Sequence, residues 1–560
     1  MTRILITSAL PYINGVKHLG NLAGSILPAD IHARYHRQVG HETLLLCGTD
    51  EHGTPAELAA AAAGVDVAAY CAAQHAIQAD IYRRFGIAFD HFSRSSGPAN
   101  HALTRHLFER LEAAGLIEER SVRQAYSPTD GRFLPDRYLL GTCPRCGDPG
   151  ARGDQCEACT AVLDPGDLLD RRSAISGARD IEFRETRHLF LKLSALQRRL
   201  RHWIEAQSGW SALTRSIALK WLDEGLRDRC ITRDLAWGVS VPRPGFEGKV
   251  FYVWFDAPIG YIAAAVEWAA AAPDRDWRQW WQGGEDVRLV QFLGKDNVPF
   301  HTVTFPATLL GSGLPFKLPD VIKAFNWLTY EGGKFSTSRR RGIFSDAALE
   351  ALPADTWRWW LAANAPEGSD ADFAVERFAA GVNKDLADVL GNLVHRCLTF
   401  TATRFDGVVP SDGEPGEAEA RLATELESRL QALKAAHEAV EIRKAAAEVR
   451  AIWSLANAYL AAQAPWTVIR TDRRRAGVVI RTGINLVRTA AVVAWPFVPV
   501  SAERILTALG ERNVVPTFPA NGWSALTAIG DGRAIEVLPV LFAKISNQAL
   551  SRIKLRHGGA

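Results

Sequence analysis

Residues 11–21 read PYINGVKHLGN and follow directly on a short β-type run, Ile4-Leu-Ile-Thr-Ser8. A strand, a Pro/Gly turn, and then His18 and Gly20 opening a helix present side chains and helix N–H groups to a polyphosphate. A second apolar strand, Leu44-Leu-Leu-Cys47, runs into Gly48-Thr-Asp50-Glu-His52-Gly53, and Ala56–Ala63 opens a helix. Ligands of such sheets sit at the carboxyl ends of the strands, where both Asp50 and the His18 loop would lie. Read alone, Asp50 is a helix-capping or turn carboxylate. Far downstream, Lys334-Phe-Ser336-Thr337-Ser338 forms a second phosphate-directed loop.

The chain around these loops is ordinary in composition. Its 560 residues exceed one core and imply roughly three or four domains. Apolar content of 47% and charged content of 23% are those of a globular protein, and a net charge of +3 excludes a large basic nucleic-acid surface. RNA contacts must come from local patches. Only 13 of 65 basic residues are Lys, so a Lys inside a motif carries more information than an Arg. The first apolar run ends at Pro11 and reads as a strand, not a signal peptide. The run Ala490–Val500 is too short to span a bilayer and contains two prolines. The protein reads as cytoplasmic, with no membrane partner.

Strand–helix alternation organises residues 1–115. It breaks over 116–230, an insertion that ends in amphipathic helices (Phe190–Trp203, Ser211–Leu226), and resumes over 231–325 with the apolar runs Phe251–Phe255 and Leu289–Leu293. Residues 326–385 carry the second loop and a helix with Trp357, Trp359 and Trp360. Residues 386–545 read as all-α, with long helical stretches such as Glu417–Leu460 and a Gly/Pro/acidic loop at Asp406–Glu417. Residues 546–560 form a basic tail, its last residues Ser551–Ala560 expected to fray. The fold class is α/β, a parallel-sheet domain split by an insertion and followed by a helical domain.

Inside the insertion lies Cys143-Pro-Arg-Cys146…Cys156-Glu-Ala-Cys159. Two CxxC knuckles direct four thiolates at one ion, and four soft ligands in tetrahedral geometry favour zinc. Such a closed site is structural. Disulfides are the competing reading, disfavoured in a reducing compartment.

Together the two phosphate loops and the cysteine cluster resemble the class I aminoacyl-tRNA synthetases, whose HIGH and KMSKS elements they match. Three further words narrow the resemblance to methionyl-tRNA synthetases: Ala9-Leu10-Pro11-Tyr12, Trp254-Phe-Asp-Ala257-Pro258-Ile-Gly-Tyr261 and Gly294-Lys-Asp296-Asn-Val-Pro-Phe-His301. Ile231-Thr-Arg-Asp-Leu-Ala-Trp-Gly238 is similar to the segment returning from the insertion. The resemblance implies a Rossmann catalytic domain, a zinc-knuckle connective insertion and a helical anticodon-binding domain. It implies a methionine–tRNA ligase that binds ATP with Mg²⁺, L-methionine and tRNA(Met), initiator and elongator.

Residue by residue, the resemblance makes His18, Asn21, Lys334 and Thr337 catalytic. ATP would be held by His18, Gly20, Asn21, Gly294, Asp296, Lys334, Ser336, Thr337 and Ser338. Leu10, Tyr12, Asp50, Trp254, Ala257, Pro258, Tyr261 and His301 would hold methionine, Asp50 pairing with its ammonium. An apolar-aromatic set with polar tips suits a polarisable thioether, although aromatic-rich strand ends are also ordinary core. Asn392 and Arg396, four residues apart on one helix face, with Pro465 and Trp466, would read the anticodon; Asn and Arg can bond splayed bases and Trp can stack on one.

Two departures stand out. The last HIGH position is Asn21, which keeps a neutral donor. The second KMSKS lysine is Thr337, which brings no charge, leaving Lys334 and Arg339–Arg341 to supply it. Thr337 permits a rival reading, a catalytically weakened paralogue that binds tRNA or nucleotide in a regulatory role. An insertion of about 115 residues leaves little room for the editing domain of synthetases for Ile, Val or Leu. The chain stops near the end of the helical domain, which reads as a monomer.

Overall fold

The computed structural model describes residues 2–153, 156, 158–159, 163–336, 341–512 and 515–557. Its centre is a five-stranded sheet in the order Val321–Phe325, Val287–Gly294, Arg3–Ser8, Glu42–Thr49, His91–Arg94, parallel throughout. Ile4, Leu5 and Ile6 are all buried, as expected of a strand covered on both faces. Leu5 sits in register with Leu289 on one side and Leu44 on the other. Strand order reverses at Arg3–Ser8, so the crevice beside its carboxyl end is the switch point where such sheets take ligands.

The insertion leaves this sheet through Ile117–Ser127, which pairs antiparallel with Glu182–Leu191. That strand absorbs Phe190 and Leu191, so the first amphipathic helix begins at Leu193, not Phe190. The second runs Ala212–Asp223, with Ser211 Oγ accepting from the Thr214 N–H at 3.2 Å as its N-cap.

Three further expectations are corrected. The run Phe251–Phe255 is a strand only over Val250–Phe251; Val253–Asp256 is helical. The helical turn sets Phe251 and Phe255 against each other at 5.2 Å between ring centres. The stretch Glu417–Leu460 is two helices, Glu417–Glu438 and Ile442–Gln463, broken where Val440 takes φ 56°. Buried Val440 offsets that strain with apolar contact, and the Glu441 N–H closes on the Ala436 carbonyl at 2.8 Å. The basic tail is not frayed over Asn547–His557, which forms a helix. Ile553 is buried, Lys554 pairs with Glu376, and Asn383 holds Ile545 through both backbone groups at 2.7 and 3.1 Å.

Helix Arg473–Ala494 is long and apolar enough to cross a membrane, with mean hydropathy 1.4, but 89% of that window is buried inside the fold. Fully buried Arg358 ties the helical region to the sheet. It pairs with Asp30 at 2.6 Å and donates to the carbonyls of Phe85, Pro496 and Phe497 at 3.1, 2.7 and 2.9 Å. Burial works to raise the Asp30 carboxyl, yet Arg34 and Arg358 hold it below the ordinary value.

Candidate active site

At the switch point the chain leaves Ser8 and turns through Pro11 and Gly15, the latter at φ 117°. A cleft of about 920 Å³ opens there. It is lined by Leu10, Tyr12, His18, Gly20, Asn21, Asp50, Trp254, Ala257, Pro258, Tyr261, Gly294, Asp296, His301 and Lys334. All fourteen were singled out in the sequence, so segments more than 300 residues apart converge on one cavity.

His18 caps the first turn in extended conformation, its ring stacked on Phe335 at 4.6 Å. Burial, then the charge of Lys17, pulls it down to about 3, so the imidazole is neutral. A Cβ on Gly20 would meet His18 Nδ1 at 3.0 Å and Phe335 at 3.3 Å, which is why the position takes glycine. Gly294 is equally confined: a Cβ there would lie 2.7 Å from Asp296 Oδ1. Burial raises the Asp296 carboxyl.

Asp50 is fully enclosed. Burial, then the carboxylates of Asp256 and Glu51, pushes it well above the usual carboxylate range. Among the described residues its Oδ1 has no hydrogen-bond partner. A buried acid with one oxygen left without a donor suits an incoming ammonium, which would restore its charge.

Opposite stands the aromatic wall. Trp254 stacks on Phe300 at 3.7 Å and 15°, and Tyr12 meets it edge-on at 6.1 Å. His301 Nδ1 faces the Asn297 carbonyl at 2.9 Å, so it carries the proton and Nε2 accepts from Tyr261 Oη at 2.9 Å. Burial pulls His301 down to about 4, fixing it neutral.

Lys334 lies over the exposed ring of Trp327 at 4.6 Å, with Lys295 over the same indole at 4.4 Å. Ser336 lies outside the cleft lining and pairs through its backbone with Arg341 at 2.9 and 3.1 Å. Thr337, Ser338, Arg339 and Arg340 lie outside the described residues.

Several lining residues escaped the sequence reading. Lys17 belongs to the opening stretch itself, and its rarity as a residue type was the available signal. Phe300, stacked on Trp254, and Asp256, bound to His52 at 2.6 Å, are outside the cleft lining and lie inside quoted words. Trp327 and Phe335 flank Lys334 with no pattern to mark them.

The four cysteines converge in the insertion. Cys143 and Cys159 Sγ are 3.8 Å apart, Cys146 and Cys156 Sγ 3.6 Å, and all four sulfurs lie within 4.8 Å of one another. A tetrahedron with Zn–S bonds of about 2.3 Å has edges of about 3.8 Å, whereas a disulfide needs about 2.05 Å. The donor set fits a thiophilic cation. His36, His41 and Glu438 form a second ligand-type group. There Glu438 already accepts from Tyr35 Oη at 3.1 Å and pairs with Arg288 at 3.2 Å, so a guanidinium holds the place of a cation.

In the helical region Asn392 opens helix Asn392–Arg404, and the Arg396 guanidinium lies 4.0 Å over the Trp466 ring. Buried Pro465 starts the short helix Pro465–Val468 after Ala464 turns the chain at φ 38°, which swings Trp466 onto Arg396.

Comparison with known proteins covers the whole chain. Residues 4–398 match the family model for class I tRNA synthetases (M), and residues 409–560 that for the anticodon binding domain of methionyl tRNA ligase. The methionine–tRNA ligase of Caulobacter vibrioides is 58% identical over 569 residues, covering 100% of both chains. That of Ruegeria pomeroyi is 57% identical, covering 98% of each. Mycobacterium tuberculosis methionyl-tRNA synthetase in complex with methionyl-adenylate superposes with a TM-score of 0.78 at 28% identity, over 97% of this chain and 100% of that one. From its phosphate loops to its helical C-terminal region, the chain belongs to the methionyl-tRNA synthetase family of class I aminoacyl-tRNA synthetases.

Proposed function

We propose that the protein is a methionine–tRNA ligase, joining methionine to AMP and then passing the methionyl group to the terminal adenosine of tRNA(Met). The observation that carries the reading is the single cleft holding a buried acid with one unpartnered oxygen, an aromatic wall and two phosphate-directed loops. Activation is attack of a carboxylate on the α-phosphate of ATP with pyrophosphate leaving. It needs no covalent protein nucleophile, only alignment and charge stabilisation.

Asp50 takes the methionine ammonium, and Trp254, Tyr261 and His301 enclose the side chain. Neutral His301 leaves the pocket uncharged, as a thioether requires. His18 and Asn21 face the phosphates from the first loop, Lys334 and Ser336–Ser338 from the second. Lys334 must leave Trp327 to do so. Asp296 and Gly294 hold the ribose side. Magnesium supplied with ATP neutralises phosphate charge when bound. Cys143, Cys146, Cys156 and Cys159 hold one structural zinc. Asn392, Arg396, Pro465 and Trp466 form the anticodon contact.

The division into residues 1–115, 116–230, 231–325, 326–385 and 386–545 belongs to the same proposal, supported by the antiparallel pairing that closes the insertion. So does a cytoplasmic monomer, which size-exclusion chromatography tests. Methionine-dependent ATP–pyrophosphate exchange, paired with charging of initiator and elongator tRNA(Met), tests the activity. Exchange without charging, or neither, defeats it.

A further inference from the structure

We propose that Lys17 is a catalytic residue of the activation step, its ammonium binding the phosphate oxygens of ATP as the second cation that Thr337 does not supply. The proposal rests on the ligase reading and adds a residue to it.

Position comes first. Lys17 lines the cleft between the turn and His18 and is only 6% exposed. Its backbone is clamped where the two phosphate loops meet. The Lys17 carbonyl accepts from the Ser345 N–H at 2.8 Å and Ser345 Oγ at 2.7 Å, just beyond the second loop. Neighbouring His18 pairs with Phe344 through its backbone and stacks on Phe335. The backbone of residue 17 is therefore fixed to the chain just after the second loop, while its ammonium is carried on Asn14 of the first.

Charge comes second. Among the described residues, the Lys17 Nζ donates only to Asn14 Oδ1, at 2.7 Å, and has no ion-pair partner within salt-bridge distance. Burying an ammonium without a counter-ion is costly. Burial accordingly pulls it down to about 7, against the nearby charge of Asp50. A dianionic or trianionic phosphate arriving in the cleft provides the missing counter-charge. Lysine is scarce in this chain, and the cleft contains Lys17 and Lys334, the latter resting on Trp327.

The order of events follows. An ammonium seated on Asp50 removes the one negative charge that acts on Lys17 and adds a like charge near it. Once methionine takes Asp50, the flexible Lys17 stem therefore turns from Asn14 to phosphate. A methionine carboxylate oxygen then bonds to the α-phosphorus. The bond to the oxygen bridging α and β breaks, and its electron pair leaves with pyrophosphate. Lys17 stays protonated and transfers nothing; it offsets charge that grows on the leaving group.

The experiment measures pyrophosphate exchange for the parent, Lys17→Met, Lys17→Arg and Lys17→Met combined with Thr337→Lys. Lys17→Met should lower kcat at least about tenfold with the methionine KM changed less than about twofold, because the lost interaction belongs to the transition state. Lys17→Arg should recover part of the loss, and adding Thr337→Lys to Lys17→Met should raise kcat several-fold. Inorganic tripolyphosphate should bind Lys17→Met more weakly than the parent, a readout independent of turnover. Thermal melting of each variant separates these effects from misfolding. A Lys17→Met enzyme as fast as the parent, a loss confined to methionine KM, unchanged tripolyphosphate binding, or no rescue by Thr337→Lys overturns the proposal. An inactive parent overturns the ligase reading instead, and tripolyphosphate binding still tests Lys17.

Discussion

Replacing Trp466 by Ala separates the two halves of the reaction. The indole carries the Arg396 guanidinium at 4.0 Å and packs on the edge of the helical core. Stacking of a base on an aromatic ring is worth about 1–3 kcal/mol, and an exposed guanidinium–indole contact about 0.5–1 kcal/mol. Losing both removes about 1.5–4 kcal/mol, or roughly 10- to 10³-fold in kcat/KM for tRNA. Methionine activation takes place on the parallel sheet and touches neither residue, so exchange should stay within about twofold of the parent. The assay runs pyrophosphate exchange and tRNA charging on one preparation, with a melting curve for each variant. Trp466→Phe keeps an aromatic plane and should lose less than Ala. An equal fall in both half-reactions would make Trp466 a structural residue and remove the anticodon assignment; unimpaired charging would do the same.

The remaining predictions concern the cleft, the metal and the junction. Lys334→Ala should slow exchange at least about tenfold, about 1.4 kcal/mol of transition-state stabilisation, and an unchanged rate would take the second loop out of catalysis. Cys146→Ser should release zinc and loosen the insertion while the central sheet keeps its melting transition; less than about half an equivalent of zinc in the reduced parent would contradict the site. Tyr261→Phe leaves His301 Nε2 buried without its donor, a cost of about 1–3 kcal/mol that should appear in methionine KM and not in ATP KM. Arg358→Met leaves Asp30 with Arg34 as its remaining cation and takes the donor from several buried backbone carbonyls, and should cost about 3–5 kcal/mol in a denaturant melt; a shift under about 1 kcal/mol would refute the role of the pair as the tie between sheet and helices.

Much of the site was legible because its parts are short words, each fixed by local chemistry. Pro11 to Asn21 needs a turn and a helix start; Gly20 and Gly294 need to lack a Cβ; two CxxC pairs are enough to bring four sulfurs together. What was illegible depends on partners distant in the chain. Phe251–Phe255 has no period that separates strand from buried helix, and only packing of Phe251 on Phe255 decides it. The break at Val440 defies propensity, since a β-branched residue rarely takes positive φ; burial there outweighs the strain. The tail looked unstructured because it is basic and terminal, while the two groups that hold it, Asn383 and Glu376, lie more than 150 residues earlier.

The same distinction explains how Lys17 and Trp327 went unnoticed. A motif records which atoms reach a ligand but not which charges the fold leaves unbalanced. Lys17 stands one residue before His18, and as a letter it reads as a solvated lysine in a loop. Only burial in the fold makes its charge costly, and the nearby charge of Asp50 offsets part of that cost. Trp327 likewise acquires meaning only once Lys295 and Lys334 lie over its ring. Each contact on Trp327 is worth about 0.5–1 kcal/mol, small enough for a polyphosphate to displace. In the proposed reaction a polyphosphate would therefore draw Lys334 off Trp327 and Lys17 off Asn14, exchanging those contacts for phosphate oxygens where the charge would contribute to the reaction.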